Sequence, residues 1–264
     1  MDHTFWNKQT TTPLFPDILW SRPESKATAG KLCIIGGNAH GFSAPAKSYT
    51  VAMQNGIGVV RILLPEAIKK IVHTLLPEAD YVPSTPSGSF ARNALDEFLR
   101  VATWSDGVLI AGDVGRNSET AMLLESFVTR YPGLLTITLD ALDYFRESPL
   151  QLVDRENTLI VATMAQLQKI FIFTPTITPI TFGMSTLQLA DALHHYTLDH
   201  SAVIMTKHND LLFVARNGQV STTKHESEFW RTEMSARASV FWLQNRTKSF
   251  ESITTSLLTD NKRI

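Results

Sequence analysis

From Lys31 onward the chain repeats one pattern: a short apolar run that stops at a glycine or polar residue, then a stretch with helical periodicity. The runs are "KLCII" (31–35), "GVVRILL" (58–64), "GVLIAG" (107–112), "LLTITLD" (134–140) and "TLIVAT" (158–163). Apolar runs of this length without polar alternation read as strands buried on both faces, as in a parallel sheet. The spacing predicts a helix from Ser43, whose hydroxyl can cap it, to about Gly56, with Ala46, Tyr49, Ala52 and Met53 on one face. It predicts further helices over 65–76 (Ile68, Ile71, Val72 and Leu75 inward), about 90–104 (Leu95, Phe98, Leu99 and Ala102 inward) and 118–131. A short turn of helix follows at "ALDYF" and another helix at "AQLQKIFI". Strand and helix alternating at this pace demand right-handed crossovers, hence helices on both faces of a mainly parallel sheet.

The rhythm changes after "TPTITPIT" (174–181), which reads as a loop. A helix over 184–198 is followed by "AVIMTKHNDLLFVARNGQV" (202–220), whose apolar runs are separated by "KHND" and "RNG" and predict antiparallel hairpins at one edge of the sheet. Two final helices are expected near 228–245 and 249–258. Residues 1–26 have little periodicity and contain Pro13, Pro16 and Pro23, so they read as an arm, with 27–264 a single domain.

Charge narrows the function classes. With 24 basic and 25 acidic residues, no whole-chain field favours nucleic acid or an anionic membrane. The single cysteine, Cys33, forbids an internal disulfide or a multi-cysteine metal site and fits a reducing compartment. The first residues lack a basic segment followed by an apolar stretch, and no apolar run approaches the ~20 residues that span a bilayer, so the expectation is a cytoplasmic protein.

The most specific local motif is "GGNAHGFS" (36–43). Its glycines and Ser43 have the spacing of a phosphate-gripping P-loop, but Phe42 stands where the lysine should be. A glycine-rich corner of this kind can bring backbone close to a large ligand and start a helix whose first amides face it. An ordinary tight strand-to-helix turn would use the same residues, and the sequence leaves both open. His194, His195 and His200 do not form the i, i+4 pair of a metal site, and no Gly-x-Ser-x-Gly elbow supports a serine hydrolase.

Taken in order, "IIGG", "GFSAPAKSYTVAMQNGIGVV", "AGDVG", "TLD" and a late hairpin before a last helix pair resemble the ADP- or ATP-dependent NAD(P)H-hydrate dehydratases of the ribokinase-like superfamily, over roughly residues 27–260. The resemblance implies an α/β ribokinase-like three-layer sandwich, mainly parallel, with antiparallel hairpins at one edge. It also implies hydrated NAD(P)H as substrate, ATP or ADP with magnesium as co-substrate, and a homo-oligomer. On it, Gly36, Gly37, Asn38, Ser43 and Pro45 line the hydrate side, and Gly112 and Gly115 belong to a turn over the nucleotide. Lys207 and His208 lie at the nucleotide edge, where a solvated hairpin turn is the other reading. Asp140 faces the cleft or caps the short helix after it. Glu233, with Thr232 as the competing match, takes the place of the catalytic aspartate; as an acid in the first turn of a helix it also has a purely structural reading.

Three departures bear on activity. The family's "GPGLG" is "AGDVG", which puts a negative charge, Asp113, where phosphates approach; it reads as a helix-leading acid that hydrogen-bonds nearby amides or as a residue with a magnesium role. The family's "TPHPGE" is "ATMAQL" (162–167), without the histidine. The family's glycine-rich loop ending in Gly-Asp has no counterpart, since no glycine follows Gly218. Three readings follow: a nucleotide-dependent dehydratase in which Glu233 replaces the lost base, a catalytically degenerate nucleotide-binding or assembly protein, and a small-alcohol kinase.

Overall fold

The computed structural model describes residues 4–76, 79–176 and 178–258. The strands are β1 (Trp6–Gln9), β2 (Lys31–Gly36), β3 (Val59–Pro65), β4 (Asp80–Val82), β5 (Gly107–Gly112), β6 (Leu134–Thr138), β7 (Thr158–Thr163), β8 (Val203–His208), β9 (Leu211–Arg216) and β10 (Gln219–Lys224). The helices are α1 (Asp17–Trp20), α2 (Ser43–Gln54), α3 (Lys69–Val72), α4 (Leu95–Trp104), α5 (Ser118–Arg130), α6 (Leu150–Val153), α7 (Met164–Ile172), α8 (Thr186–Asp199), α9 (Arg231–Gln244) and α10 (Ser249–Ser256).

All ten strands join one sheet in the order β1-β10-β9-β8-β7-β6-β5-β2-β3-β4. Pairing is parallel from β4 across to β8, β9 is antiparallel to both β8 and β10, and β1 is parallel to β10. Only β9 therefore runs against the rest, and the edge hairpins stand as the sequence predicts. The apolar runs split by alternation. Cys33, Ile35, Val108, Ile110, Leu135, Ile137, Ile160 and Ile204 face one side and pack with Phe98, Phe127, Leu167 and Leu193 of α4, α5, α7 and α8. Ile34, Ile62, Leu109 and Ala111 face the other side with Val51, Ala52, Ala236 and Val240 of α2 and α9. Leu159, Val161, Val203 and Met205 meet Met234, Trp242 and Ile253 of α9 and α10. Burying both faces of one sheet yields three layers.

Several expectations need correction. The buried residues of α2 are Ala44, Pro45, Ser48, Val51 and Ala52; Tyr49 is partly buried against the same core, and Met53 is exposed. Ser43 is not the cap: Phe42 is, without a side-chain bond, and Ser43 is the first helical residue. The helix predicted over 65–76 is a 3-10 turn over Glu66–Ile68 followed by α3, which ends at Val72 with Ile71 and Leu75 exposed; residues 77 and 78 lie outside the described residues. The segment from 90 opens with β4 upstream and a 3-10 turn over Arg92–Ala94 before α4, with Phe90 buried ahead of both helical pieces. "LDALDYF" is 3-10 helix throughout. The N-terminal segment contributes β1, whose Gln9 amide donates to Thr223 Oγ1 at 3.1 Å and to the Thr254 carbonyl at 2.6 Å. Among the described residues no helix is long and apolar enough to cross a membrane.

Candidate functional site

In an open parallel sheet the loops leaving the carboxyl ends of the strands gather on one side, which is where ligands bind. Here the loops after β2, β5, β6 and β7 meet the start of α9. Gly36 packs so closely on the loop after β5 that an added Cβ would sit 2.4 Å from the Gly112 carbonyl oxygen. Gly37, at φ +91°, donates its amide to that carbonyl at 3.1 Å. Asn38 closes a tight turn with Gly41 through paired main-chain bonds of 2.8 and 3.2 Å, and its side-chain amide donates to the Asp113 carbonyl. Pro45, in the first turn of α2, touches the same corner, its ring lying 3.3 Å from where a Gly36 Cβ would be. The sequence-predicted residues Gly36, Gly37, Asn38, Ser43, Pro45, Gly112 and Gly115 are thus neighbours.

Asp113 fixes the character of this corner. Its Oδ2 accepts from the Ala44 amide at 2.8 Å and from Ser43 Oγ at 3.2 Å. A carboxylate is a favourable partner for the unsatisfied first amides of a helix, and the helix dipole adds to the attraction. Of the two readings of Asp113, the structure bears out the acid that binds nearby amides. The capping role that the sequence assigned to Ser43 belongs to this residue from another loop.

The loop after β6 brings Asp140 alongside. Its Oδ2 accepts from the Gly115 amide at 3.0 Å, while Oδ1 is buried with no hydrogen-bond partner. Burial, together with the nearby charge of Asp113, holds the Asp140 carboxyl above the ordinary carboxylate range, against the Gly115 amide, which pulls the other way. Asp113 and Leu139, at φ +57° and +56°, are left-handed without being glycine. Such strain gathers where a fold is over-determined around a site. Tyr144 donates to the Gly115 carbonyl at 2.8 Å and accepts from the Asn117 amide at 2.9 Å, which ties the two loops together.

A cleft of about 540 Å³ opens beside these acids, lined by Asp113, Asp140, Asp143, Thr163, Gln166, Lys169 and Arg231. A second hollow of about 530 Å³ shares Asp140 and Asp143 with it and continues past Tyr144 and Arg116. "ATMAQL" forms the β7–α7 junction. Thr163 and Gln166 make a reciprocal capping box, and Gln166 reaches on to the Leu139 carbonyl (2.8 Å), Asp143 (3.0 Å) and Arg231 (3.3 Å).

Glu233 is not part of this cleft. It lies two residues beyond Arg231, about 200° around the helix, and its charge acts on His225 instead. Lys207 and His208 also lie apart from the corner. Lys207 donates to the Ser227 carbonyl at 2.8 Å, and buried His208 meets the Met184 carbonyl at 2.8 Å. Lys207 thereby holds the segment Glu226–Ser227, which lines a more apolar groove of about 930 Å³ with Trp6, Leu211, His225 and Leu257. Among the described residues no group of three or more His, Cys, Asp or Glu could hold a metal ion. Sequence reasoning missed Arg231, Gln166, Lys169 and Asp143. Only Gln166 left a signal, the T-x-x-Q spacing of a capping box.

No protein-family model matches the chain. The bifunctional NAD(P)H-hydrate repair enzyme Nnr of Dictyoglomus turgidum is 27% identical over 130 residues, 48% of this chain and 25% of that protein. Its counterpart from Methanothermobacter thermautotrophicus is 32% identical over 101 residues, 38% of this chain and 19% of the relative. The matched stretch spans a quarter or less of these curated relatives. Among solved structures, a ribokinase-like superfamily protein from Enterococcus faecalis superposes with TM-score 0.73 at 15% identity, covering 98% of this chain and 87% of the other. The ADP/ATP-dependent NAD(P)H-hydrate dehydratase of Bacillus subtilis, co-crystallized with ATP/Mg2+, gives 0.63 at 12% identity, covering 93% and 86%. The fold is ribokinase-like, and less than half of the chain is similar in sequence to the curated NAD(P)H-hydrate repair enzymes.

Proposed function

We propose that this protein binds a nicotinamide dinucleotide in the cleft at the carboxyl ends of β5, β6 and β7 and does not carry out nucleotide-driven dehydration. The likeness to NAD(P)H-hydrate repair enzymes supports the ligand class. The observation that carries the loss of chemistry is the approach to α9. Phosphoryl transfer is catalysed almost wholly by preorganised donors, and in this fold a glycine-rich turn would aim main-chain amides at the phosphate. Here every residue from His225 to Trp230 bears a side chain. Trp230 is buried in the core beside Met234 and Trp242. Arg231, the first helical residue, is hydrogen-bonded to Gln166, and Glu233 is not among the residues that line the cleft with Asp140. These residues do not fit ATP with magnesium. The same approach to α9 weighs equally against a small-alcohol kinase.

The test is to incubate the purified protein with hydrated NADH and either ATP or ADP, following recovery of reduced-nicotinamide absorbance, and to titrate it with dinucleotide by calorimetry. The expected result is saturable dinucleotide binding with no absorbance recovery. Recovery with either nucleotide overturns the proposal.

A further inference from the structure

Resting on that ligand reading, we infer that one dinucleotide spans two hollows: its nicotinamide half lies in the cleft, its adenine in the apolar groove lined by Trp6 and His225, and its diphosphate beside Lys207. Cleft and groove both lie where the strands of the sheet end, the edge at which open parallel sheets bind ligands. They are also neighbours. Thr163, the last residue of β7, lines the cleft, and its register partner in β8 is Lys207. Lys207 in turn donates to the carbonyl of Ser227, which lines the groove. From Ser227 the chain needs only four more residues to reach Arg231, which lines the cleft.

The two hollows offer a ring different surroundings. Leu139 is the one apolar side chain among the residues lining the cleft. The groove has Trp6, Leu211, Leu257 and Leu258, which suit the broad faces of a purine. Stacking on an aromatic side chain strengthens the binding of a base by about tenfold. His225 adds a polar contact: it is 8% exposed, and its Nε2 is buried with no hydrogen-bond partner. A buried polar atom left unpaired is destabilising, and a base edge that pairs with it relieves this. Burial and the charge of Lys207 hold the imidazole below its ordinary range, against the pull of Glu233, so the ring is neutral. A neutral imidazole carries one donor and one acceptor, and the adenine edge presents both. Lys207 has no carboxylate within 4 Å among the described residues. Its ammonium meets only the carbonyls of Glu226 and Ser227, which leaves its charge and one N–H for the diphosphate.

NAD+ is nicotinamide mononucleotide and AMP joined through their phosphates, so the two fragments probe the hollows separately. Calorimetry measures NAD+ and each fragment with the wild-type chain, and each fragment again with the other at saturation. The expected result is that both fragments bind at once and that NAD+ binds at least about a hundredfold tighter than either, as linking two ligands gives. His225→Leu should weaken AMP and NAD+ alike, by about fivefold or more, and leave nicotinamide mononucleotide unchanged. Trp6→Phe keeps a ring in the groove, so it should still bind AMP but lose the AMP-induced change in tryptophan fluorescence. The competition between fragments uses the wild type and needs no variant to fold. Mutual displacement of the fragments, no binding of AMP, NAD+ no tighter than nicotinamide mononucleotide, or variants that leave the AMP responses unchanged would overturn this inference while leaving a dinucleotide in the cleft. Failure of NAD+ to bind the wild type overturns both proposals.

Discussion

Gly112 is the hinge of the candidate site, and replacing it with alanine tests the geometry described above. Its φ of +96° lies where an L-residue is strained, at a cost of about 1–2 kcal/mol. An added Cβ would also lie 2.6 Å from Leu139 Cβ, 2.9 Å from Leu139 Cδ1 and 3.0 Å from Asp140 Oδ1. The first contact is with an atom attached directly to a backbone that is itself left-handed at φ +56°, so a rotamer change cannot relieve it. Overpacking of this kind costs roughly 1–3 kcal/mol. Together the two effects destabilise Gly112→Ala by about 2–5 kcal/mol. Gly183→Ala is the control, since a Cβ there meets nothing within 4 Å and its φ is not left-handed. That change should be neutral or stabilising by a few tenths of a kcal/mol through the unfolded chain. Urea titration followed by tryptophan fluorescence gives both values. A loss below about 1 kcal/mol for Gly112→Ala, or a loss in Gly183→Ala of similar size, would refute the close packing of the β5 and β6 loops.

Two more outcomes follow from buried ionisable groups. The folded-state pKa of Asp140 is raised, so the fold holds its proton more tightly than the unfolded chain does, and stability contributed by the neutral carboxyl is lost as pH climbs from the ordinary carboxylate range through the folded value. Asp140→Asn, which can still accept from the Gly115 amide, should therefore gain on the wild type in denaturation midpoint with rising pH and show no advantage in acid. A constant offset at every pH would contradict the burial of Asp140. Cys33 is fully buried in β2, with its thiol pushed far up by desolvation. It should resist a water-soluble disulfide reagent in buffer and react with one equivalent in denaturant; rapid labelling of the native chain would mean β2 is not where the structure puts it.

What could be read from the chain beforehand was what local chemistry dictates. The runs at Lys31, Gly107 and Thr158 are apolar enough to need cover on both faces, and they became the middle of the sheet. β1 escaped notice because "WNKQ" has no apolar pattern; its hydrogen bonds come from Gln219–Lys224, more than two hundred residues away. β4 has only three residues, Asp80–Val82, paired along a short stretch of β3. At the site, the glycines after β2 and β5 were visible because a close backbone approach needs them. Arg231 and Lys169 were not, because nothing in a lone basic residue tells whether it will line a cleft. Glu233 matches by position along the chain alone, and the 100° step per residue of the helix sets it about 200° around from Arg231.

The parallel pairing of β1 with β10 sets the order in which the protein can be completed. Trp6–Gln9 leave the ribosome well before their register partners, which lie 214 residues further on (Trp6 to Val220), and the carbonyl that receives the Gln9 side chain belongs to Thr254. Until β10 has been made, this segment has no strand to pair with, so its place in the sheet waits on the long-range closure that brings β10 to it.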